Sequence, residues 1–151
     1  MDSNRLILLK VDLEAQMSHI ERIHQKLLDR MTKLQENDEI ILECMSYQIY
    51  NLFCATEDLI KIVASCFENN ISISNQWHTL LLQRMSKDIP GIRPALLSYN
   101  TYTILNNLRG FRRAYGATIE YAQLKINLDK ALNLKANLDA DIHHFFTEAK
   151  R

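Results

Sequence analysis

The sequence predicts an all-α protein, an antiparallel bundle of four main helices with one additional short helix. The first observation behind this prediction is a scarcity of helix breakers, because 3 Gly and 2 Pro stand where average usage would supply about eighteen. The second is their position, since all five lie between residues 90 and 116. Apolar residues recur at helical spacing on both sides of that window. These observations exclude β-sandwiches, barrels and Gly-rich nucleotide-binding folds.

The first two segments each predict a long helix. In the first, apolar residues at spacings of four and three form one face with Lys10 and His24, namely Leu6, Leu13, Met17, Ile20, Leu27, Met31 and Leu34. Asn37-Asp38 predicts a break and an N-cap for the second helix, which we expect to end at Asn69-Asn70. Because the second helix is apolar over more than one stripe, it is typical of a bundle interior rather than of an extended coiled coil.

Three more helices are predicted by the rest of the chain. A short helix covers about 76–87, and a fourth helix begins at Pro94, whose fixed φ suits a first helical turn, and ends at Gly116. The last helix repeats the apolar spacing with Leu124, Leu128, Ala131, Leu138, Ile142 and Phe145. We therefore expect residues 1–151 to form a single domain.

Charge and cysteine usage limit the classes of function. The 18 lysine and arginine residues balance the 18 aspartate and glutamate residues. Nucleic-acid binding would therefore have to come from a local patch of positive charge. Three cysteines without a C-x-x-C pair suit a reducing compartment, and no apolar run is long enough for a signal peptide or a membrane span. We expect a cytoplasmic protein without membrane contact, metal or cofactor, in which Cys44 and Cys54 are small core residues.

The most unusual stretch is 108–116, where three of the basic residues occupy five positions: Arg109, Arg112 and Arg113. Arg109 lies one helical turn from both others, so at least two guanidinium groups share a face and repel unless an anion lies between them. Arginine is well shaped for bidentate phosphate contact, and we expect these side chains on the surface. The cluster thus predicts a phosphate-binding surface.

A second interpretation of the same stretch is structural. Basic residues in the last turn before a C-terminal glycine are favoured by the helix dipole and by a glycine C-cap. Gly110 favours the functional interpretation, because a glycine inside a helix costs about 1 kcal/mol relative to alanine and commonly marks close backbone approach or a packing need. Both interpretations stay open at this point.

The order of short motifs resembles that of a known family. The chain reads N-Q-W-H-T-L-L over 75–81, then I-P-G-I-R-P-A-L-L-S over 89–98, then the arginine-rich segment with Tyr115. This pattern resembles the HepT-like branch of the HEPN superfamily, whose members often read W-H-x-x-L-L, R-P-A-x-L-S and F-R-H-x-x-R-x-x-Y. Residues 50–60 are similar in placement to the second helix of that family, so the resemblance covers about 40–125.

The resemblance implies a helical bundle, usually a homodimer, that is the ribonuclease toxin of a toxin–antitoxin pair. Its antitoxin would be a minimal nucleotidyltransferase, which in some members adenylylates a tyrosine, here Tyr115. Active members cleave RNA without metal, through an arginine and a histidine that are separated by four to six residues. The resemblance makes Arg109 or Arg112 the catalytic arginine, and it makes both of them, with Arg113, binding residues for RNA phosphate.

The sequence departs from the family pattern at the proton-transfer residue. Two positions before Tyr115, where the family has histidine, stands Arg113, which cannot release a proton near neutral pH. The segment is also one residue shorter than usual, so Arg109 and Arg112 each fit the position of the family's arginine. His78 is a possible substitute acid or base, although a histidine at such a place is more often a packing or capping residue.

Tyrosines gather near the arginines in the sequence, at Tyr99, Tyr102, Tyr115 and Tyr121. Tyrosine and arginine together often hold single-stranded RNA by stacking, whereas tyrosines at helical spacing more often pack half-buried inside a bundle. We favour packing for all of them except Tyr115, which adjoins Gly116 and which we expect to be exposed.

Three functions therefore stay open. The first is a HepT-like toxin subunit that binds RNA or a nucleotide, with or without the activity of a metal-independent ribonuclease. The second is a degenerate, non-catalytic HEPN module that serves a nucleotidyltransferase as a dimeric scaffold, substrate-binding or antitoxin subunit. The third is a coiled-coil adaptor, which would leave Gly110 and the arginine cluster unexplained.

Overall fold

The computed structural model describes residues 2–67, 77–114 and 120–151. Within those ranges it contains five helices: α1 (Ser3–Met31), α2 (Glu39–Phe67), α3 (Trp77–Met85), α4 (Tyr99–Ala114) and α5 (Tyr121–Ala149). This confirms the predicted bundle of four main helices with one short helix. The predicted helix ends at Asn69-Asn70 and Gly116 lie outside the described residues. No helix of the described ranges is long and apolar enough to cross a membrane.

Helices α1 and α2 form an antiparallel hairpin. At its open end the guanidinium of Arg5 donates to the carbonyl of Cys66, and near the connection Arg30 Nη1 donates to Cys44 Sγ at 3.5 Å. The predicted N-cap of α2 is confirmed, because Asp38 Oδ1 accepts the backbone N–H of Ile41 at 3.2 Å. Helix α1 ends at Met31, so Leu34, the last residue of the predicted apolar row, lies in the turn that follows the helix. Leu34 still packs against the core.

Helix α5 lies antiparallel to α1 and α4. Lys135 Nζ of α5 contacts Glu21 Oε2 of α1 at 2.8 Å. Met17, which is earlier on α1, and Ile142, which is later on α5, line one cavity, as two antiparallel helices require. The core of the bundle is apolar, and its largest fully buried side chains are Phe53, Phe145, Leu13, Ile20, Leu27, Met45, Ile49, Leu52, Leu59, Ile60, Leu82 and Met85. Half of these residues belong to α2, as its broad apolar surface predicts.

Pro94 does not begin a helix, which corrects the sequence prediction. Helix α4 begins at Tyr99, and Ser98 is its N-cap: Ser98 Oγ accepts the backbone N–H of Thr101 at 3.3 Å, and its carbonyl accepts that of Tyr102 at 2.9 Å. The backbone groups around Pro94 are used differently. The amides of Leu96 and Leu97 both donate to the carbonyl of Met85, so they belong to the connection and not to a first helical turn.

That connection, residues 86–98, is a compact turn. Ile89 and Arg93 form a short antiparallel bridge around Gly91, whose φ of 80° is a conformation that only glycine adopts readily. Asp88 Oδ1 accepts the backbone N–H of Ala95 at 2.7 Å. The turn therefore closes on itself through its own side chains and fixes the end of α3 relative to the start of α4.

The cysteines lie at partly covered positions. Cys44, Cys54 and Cys66 are free thiols of intermediate exposure. The expectation that Cys44 and Cys54 are core residues therefore holds only in part, since neither is fully buried and Cys44 accepts a hydrogen bond from Arg30.

Candidate functional site

Arg109 is the member of the arginine cluster whose side chain the structure describes. It is half-buried on α4, next to the buried Leu108, and its Nη1 donates to the hydroxyl oxygen of Thr79 on α3. Arg109 keeps part of its side chain at the surface, where we expected it, and α3 covers the rest. The contact places the guanidinium at the junction of two helices.

Helix α3 reaches Arg109 because it runs antiparallel along α4. Thr79, in its first turn, contacts Arg109, and Met85, at its last turn, accepts the amide of Leu97 at 3.0 Å just before α4 begins. The apolar side of α3 holds it in place, since Leu82 is 1% exposed and Met85 is fully buried. Burial of such side chains stabilises this docking by roughly 1.5–3 kcal/mol each.

Gly110 is exposed within α4, and its environment corrects one expectation. A Cβ built at this position would meet no atom within 4 Å in the described part of the chain. The close approach of another protein segment, which a glycine inside a helix suggested, is therefore not found there. Gly110 therefore leaves the solvent-facing surface of α4 next to Arg109 without a side chain at position 110.

The other predicted site residues lie at the edge of the described ranges or beyond it. Arg112 and Arg113 belong to the last turn of α4, but their side chains lie outside the described part. Tyr115 lies outside the described residues. His78 belongs to the first turn of α3, immediately before Thr79, and its side chain is likewise not described. The structure thus brings the first turn of α3 to Arg109, while the positions of the remaining side chains stay predictions.

The tyrosines divide into packed and exposed residues. Tyr102 and Tyr121 are partly buried against the core, as expected, and Lys125 Nζ lies 5.4 Å from the ring centroid of Tyr121. Tyr99 is 81% exposed at the start of α4, so the packing prediction is wrong for it. Tyr99 lies at the opposite end of α4 from Arg109.

Thr79 is the site residue that the sequence analysis missed. It occupies a variable position of the W-H-x-x-L-L motif, and its importance depends on how α3 packs on α4, which no spacing within α3 can indicate. For metal binding, the described residues contain no group of three His, Cys, Asp or Glu side chains that would hold an ion.

One comparison with known proteins identifies a family for this chain. A family model described as HepT-like protein matches residues 44–149, which include most of α2 and all of α3, α4 and α5. Neither a curated protein nor a solved structure matches the chain. Because the family match covers well over half of the sequence and includes both helices that form the Arg109–Thr79 contact, the chain belongs to the HepT-like family.

Proposed function

We propose that this protein is the toxin-type subunit of a cytoplasmic toxin–antitoxin pair whose partner is a minimal nucleotidyltransferase. In this proposal a homodimer of the chain binds RNA or nucleotide phosphate through Arg109, Arg112 and Arg113. Family membership supports the class of function. The observation that carries the proposal is the placement of Arg109, half-buried between α3 and α4.

The Arg109 contact suits phosphate binding because its partner is neutral. The Thr79 hydroxyl orients the guanidinium and leaves its charge uncompensated by this bond. A guanidinium has five N–H donors, so donors remain for a bidentate contact with a phosphate. Partial burial also strengthens such a contact, since the effective dielectric constant beside the protein is lower than in water.

Metal-independent cleavage of RNA needs two further functions besides an arginine. A base must take the proton of the attacking 2′-hydroxyl, and an acid must give a proton to the leaving oxygen, while the arginine stabilises charge on the phosphate. Arg113 stands where the family has its histidine and cannot exchange protons near neutral pH. We propose His78 as the substitute acid or base, because it belongs to the first turn of α3, the helix that meets Arg109.

Growth inhibition on expression of the chain tests this proposal. We expect Arg109→Ala and Arg112→Ala to abolish inhibition, because loss of one donor to a developing negative charge typically lowers a rate about 10²–10³-fold. The matched control is Arg22→Ala, which removes an exposed arginine on α1. Circular dichroism verifies that each variant folds. Equal toxicity of Arg109→Ala and Arg22→Ala would contradict the proposal.

Modification by the partner gives an independent prediction. In this reaction the Tyr115 oxygen attacks the α-phosphorus of ATP and loses its proton to the solvent. The new oxygen–phosphorus bond replaces the bond from the α-phosphorus to the α,β-bridging oxygen, and pyrophosphate leaves. Mass spectrometry after incubation with ATP and the nucleotidyltransferase should find one adenylyl group on the wild type and on Tyr99→Phe, whose side chain is 81% exposed. Tyr115→Phe should carry none. An adenylyl group that persists in Tyr115→Phe would refute the assignment.

A second candidate function follows from Arg113 at the histidine position. A non-catalytic module would keep the homodimer and the partner surface while it serves the nucleotidyltransferase as a scaffold, substrate-binding or antitoxin subunit. Such a module would bind RNA in an Arg109-dependent way, or bind the partner, without any cleavage. Cleavage by the wild type that is lost in Arg109→Ala excludes this alternative.

A further inference from the structure

We propose that Thr79 is a positioning residue, which holds the Arg109 guanidinium in the orientation that contacts phosphate. The inference rests on the function proposed above for Arg109 and extends it to a residue of another helix. Its basis is the hydrogen bond from Arg109 Nη1 to Thr79 Oγ1, which connects α4 to the first turn of α3.

A free arginine side chain samples many rotamers, and the loss of that freedom opposes any contact it makes with a ligand. A partner on a second helix removes part of this freedom before the ligand arrives, which is preorganisation. Threonine is suited to the task because its β-branched side chain has few χ1 rotamers in a helix. Its hydroxyl also accepts the bond without neutralising the guanidinium charge.

Helix α3 is a firm support for Thr79 because its other end is anchored independently. Arg93 donates to the carbonyl oxygens of Arg84 at 3.2 Å and Lys87 at 3.0 Å. The carbonyl of Met85 accepts two amides of the following turn, and the Met85 side chain is fully buried. Removal of the Thr79 hydroxyl should therefore release the arginine and leave α3 in place.

The test compares Thr79→Val, which keeps the shape and removes the hydroxyl, with Thr79→Ser, which keeps the hydroxyl. The matched control is Thr103→Val, because Thr103 is an exposed threonine of α4 whose hydroxyl bonds to the carbonyl of Tyr99 in its own helix. The first readout is the ¹⁵N relaxation of the Arg109 Nε–H group. We expect a lower order parameter in Thr79→Val and wild-type values in Thr79→Ser and Thr103→Val.

The second readout is the kinetics of RNA cleavage in EDTA. Thr79→Val should lower kcat about ten-fold, because a misplaced catalytic group acts mainly on the rate of the chemical step. KM should change little, and Thr79→Ser should restore kcat. In the Arg109→Ala background Thr79→Val should have no further effect, because a residue that acts through Arg109 has nothing left to position.

The outcomes separate this inference from the proposed function. If the wild type cleaves RNA and Thr79→Val has the same kcat and the same Arg109 order parameter, the role of Thr79 is refuted while the function stands. If the folded wild type does not cleave, the ribonuclease function fails, and the relaxation measurement still decides whether Thr79 orders Arg109. An equal decrease of kcat on Thr79→Val in the wild type and in the Arg109→Ala background would indicate a general structural role of Thr79. This result would also overturn the inference.

Discussion

At the scale of single residues, Asp141 fixes where α4 begins along α5. Asp141 is 8% exposed, and its Oδ2 accepts hydrogen bonds from the backbone N–H of Ser98 at 3.0 Å and from the Ser98 hydroxyl at 3.2 Å. Ser98 in turn caps α4 through the N–H of Thr101. A carboxylate at a helix N-terminus is favoured by the helix dipole. Because Arg109 lies on the same helix, this cap also fixes the position of Arg109 along the bundle axis.

We expect Ser98→Ala to lower the free energy of unfolding by about 1 kcal/mol, the usual effect of removing an N-cap side chain. Urea denaturation followed by circular dichroism measures this change. The control is Ser18→Ala, because the exposed Ser18 hydroxyl bonds to a carbonyl of its own helix, that of Glu14. The control should change the stability by less than about 0.5 kcal/mol. Equal losses of unfolding free energy in Ser98→Ala and Ser18→Ala would contradict the role of Ser98 as the N-cap of α4.

Sequence reasoning identified some of these residues and missed others for a physical reason. Arg109 could be found because three arginines within five positions are unusual in a neutral chain. Thr79 and Asp141 could not, since each gains its role from a contact with another helix: Thr79 with Arg109, and Asp141 with Ser98. Spacing within a helix predicts which face is buried, but it does not predict which side chains of two helices meet.

At the scale of elements, Arg93 holds the turn between α3 and α4. Arg93 is 4% exposed, and its Nη1 donates to the carbonyl oxygens of Lys87 at 3.0 Å and Pro94 at 3.1 Å. Nη2 donates to the carbonyl of Arg84 at 3.2 Å. The R-P-A-x-L-S motif therefore works as a turn whose arginine binds backbone. The prediction of a helix start at Pro94 was wrong because it considered the proline φ without these competing bonds.

We expect Arg93→Met to lower the free energy of unfolding by about 1–3 kcal/mol, because three backbone carbonyl groups would lose hydrogen bonds from a charged donor. Methionine keeps an apolar stem of similar length, so the change isolates the guanidinium. Lys87→Met, at an exposed position of the same turn, should change the stability by less than about 0.5 kcal/mol. Thermal or urea unfolding measures both. A stability of Arg93→Met equal to that of the wild type would refute the structural role of this arginine.

At the scale of the whole molecule, α1 completes the bundle although it precedes the family match over 44–149. It buries an apolar face against α2 and α5, with Leu6, Leu9, Leu13, Ile20, Ile23 and Leu27 in the core. The sequence predicted most of this face, because a long helix with one apolar stripe must be covered by neighbours. Met31 and Lys10 of the predicted row are exposed, whereas the buried Leu9 and Ile23 were not part of it. Outside the apolar core, Lys135 of α5 joins α1 through Glu21 and also contacts Asp139 at 3.1 Å.

The ion pairs of Lys135 predict a dependence of stability on pH. The hydrogen bond to Glu21, and then that to Asp139, raises the pKa of Lys135 above its ordinary value of 10.5. A raised pKa means that the stabilisation is fully present below about pH 10.5 and is lost as the pH rises through the folded-state pKa. Because these side chains are 30–52% exposed, we expect a contribution of only about 0.5 kcal/mol.

Urea denaturation of the wild type and Lys135→Met between pH 7 and the alkaline range tests this dependence. The difference in unfolding free energy should be constant through neutral pH, should decrease above the ordinary lysine pKa and should disappear above the folded-state pKa. The control is Lys26→Met, at an exposed position of α1. A difference for Lys135→Met that persists unchanged at alkaline pH would show that the ion pairs do not stabilise the α1–α5 contact.

The central claim, that Arg109 makes this HepT-like chain act on RNA phosphate, is tested most directly by cleavage in the absence of metal. Purified wild type, Arg109→Ala and Arg22→Ala are incubated with total tRNA and with mRNA in EDTA. We predict cleavage by the wild type and Arg22→Ala and a rate at least about 100-fold lower for Arg109→Ala. Intact RNA after incubation with folded wild type, or cleavage by Arg109→Ala at the wild-type rate, would contradict the account.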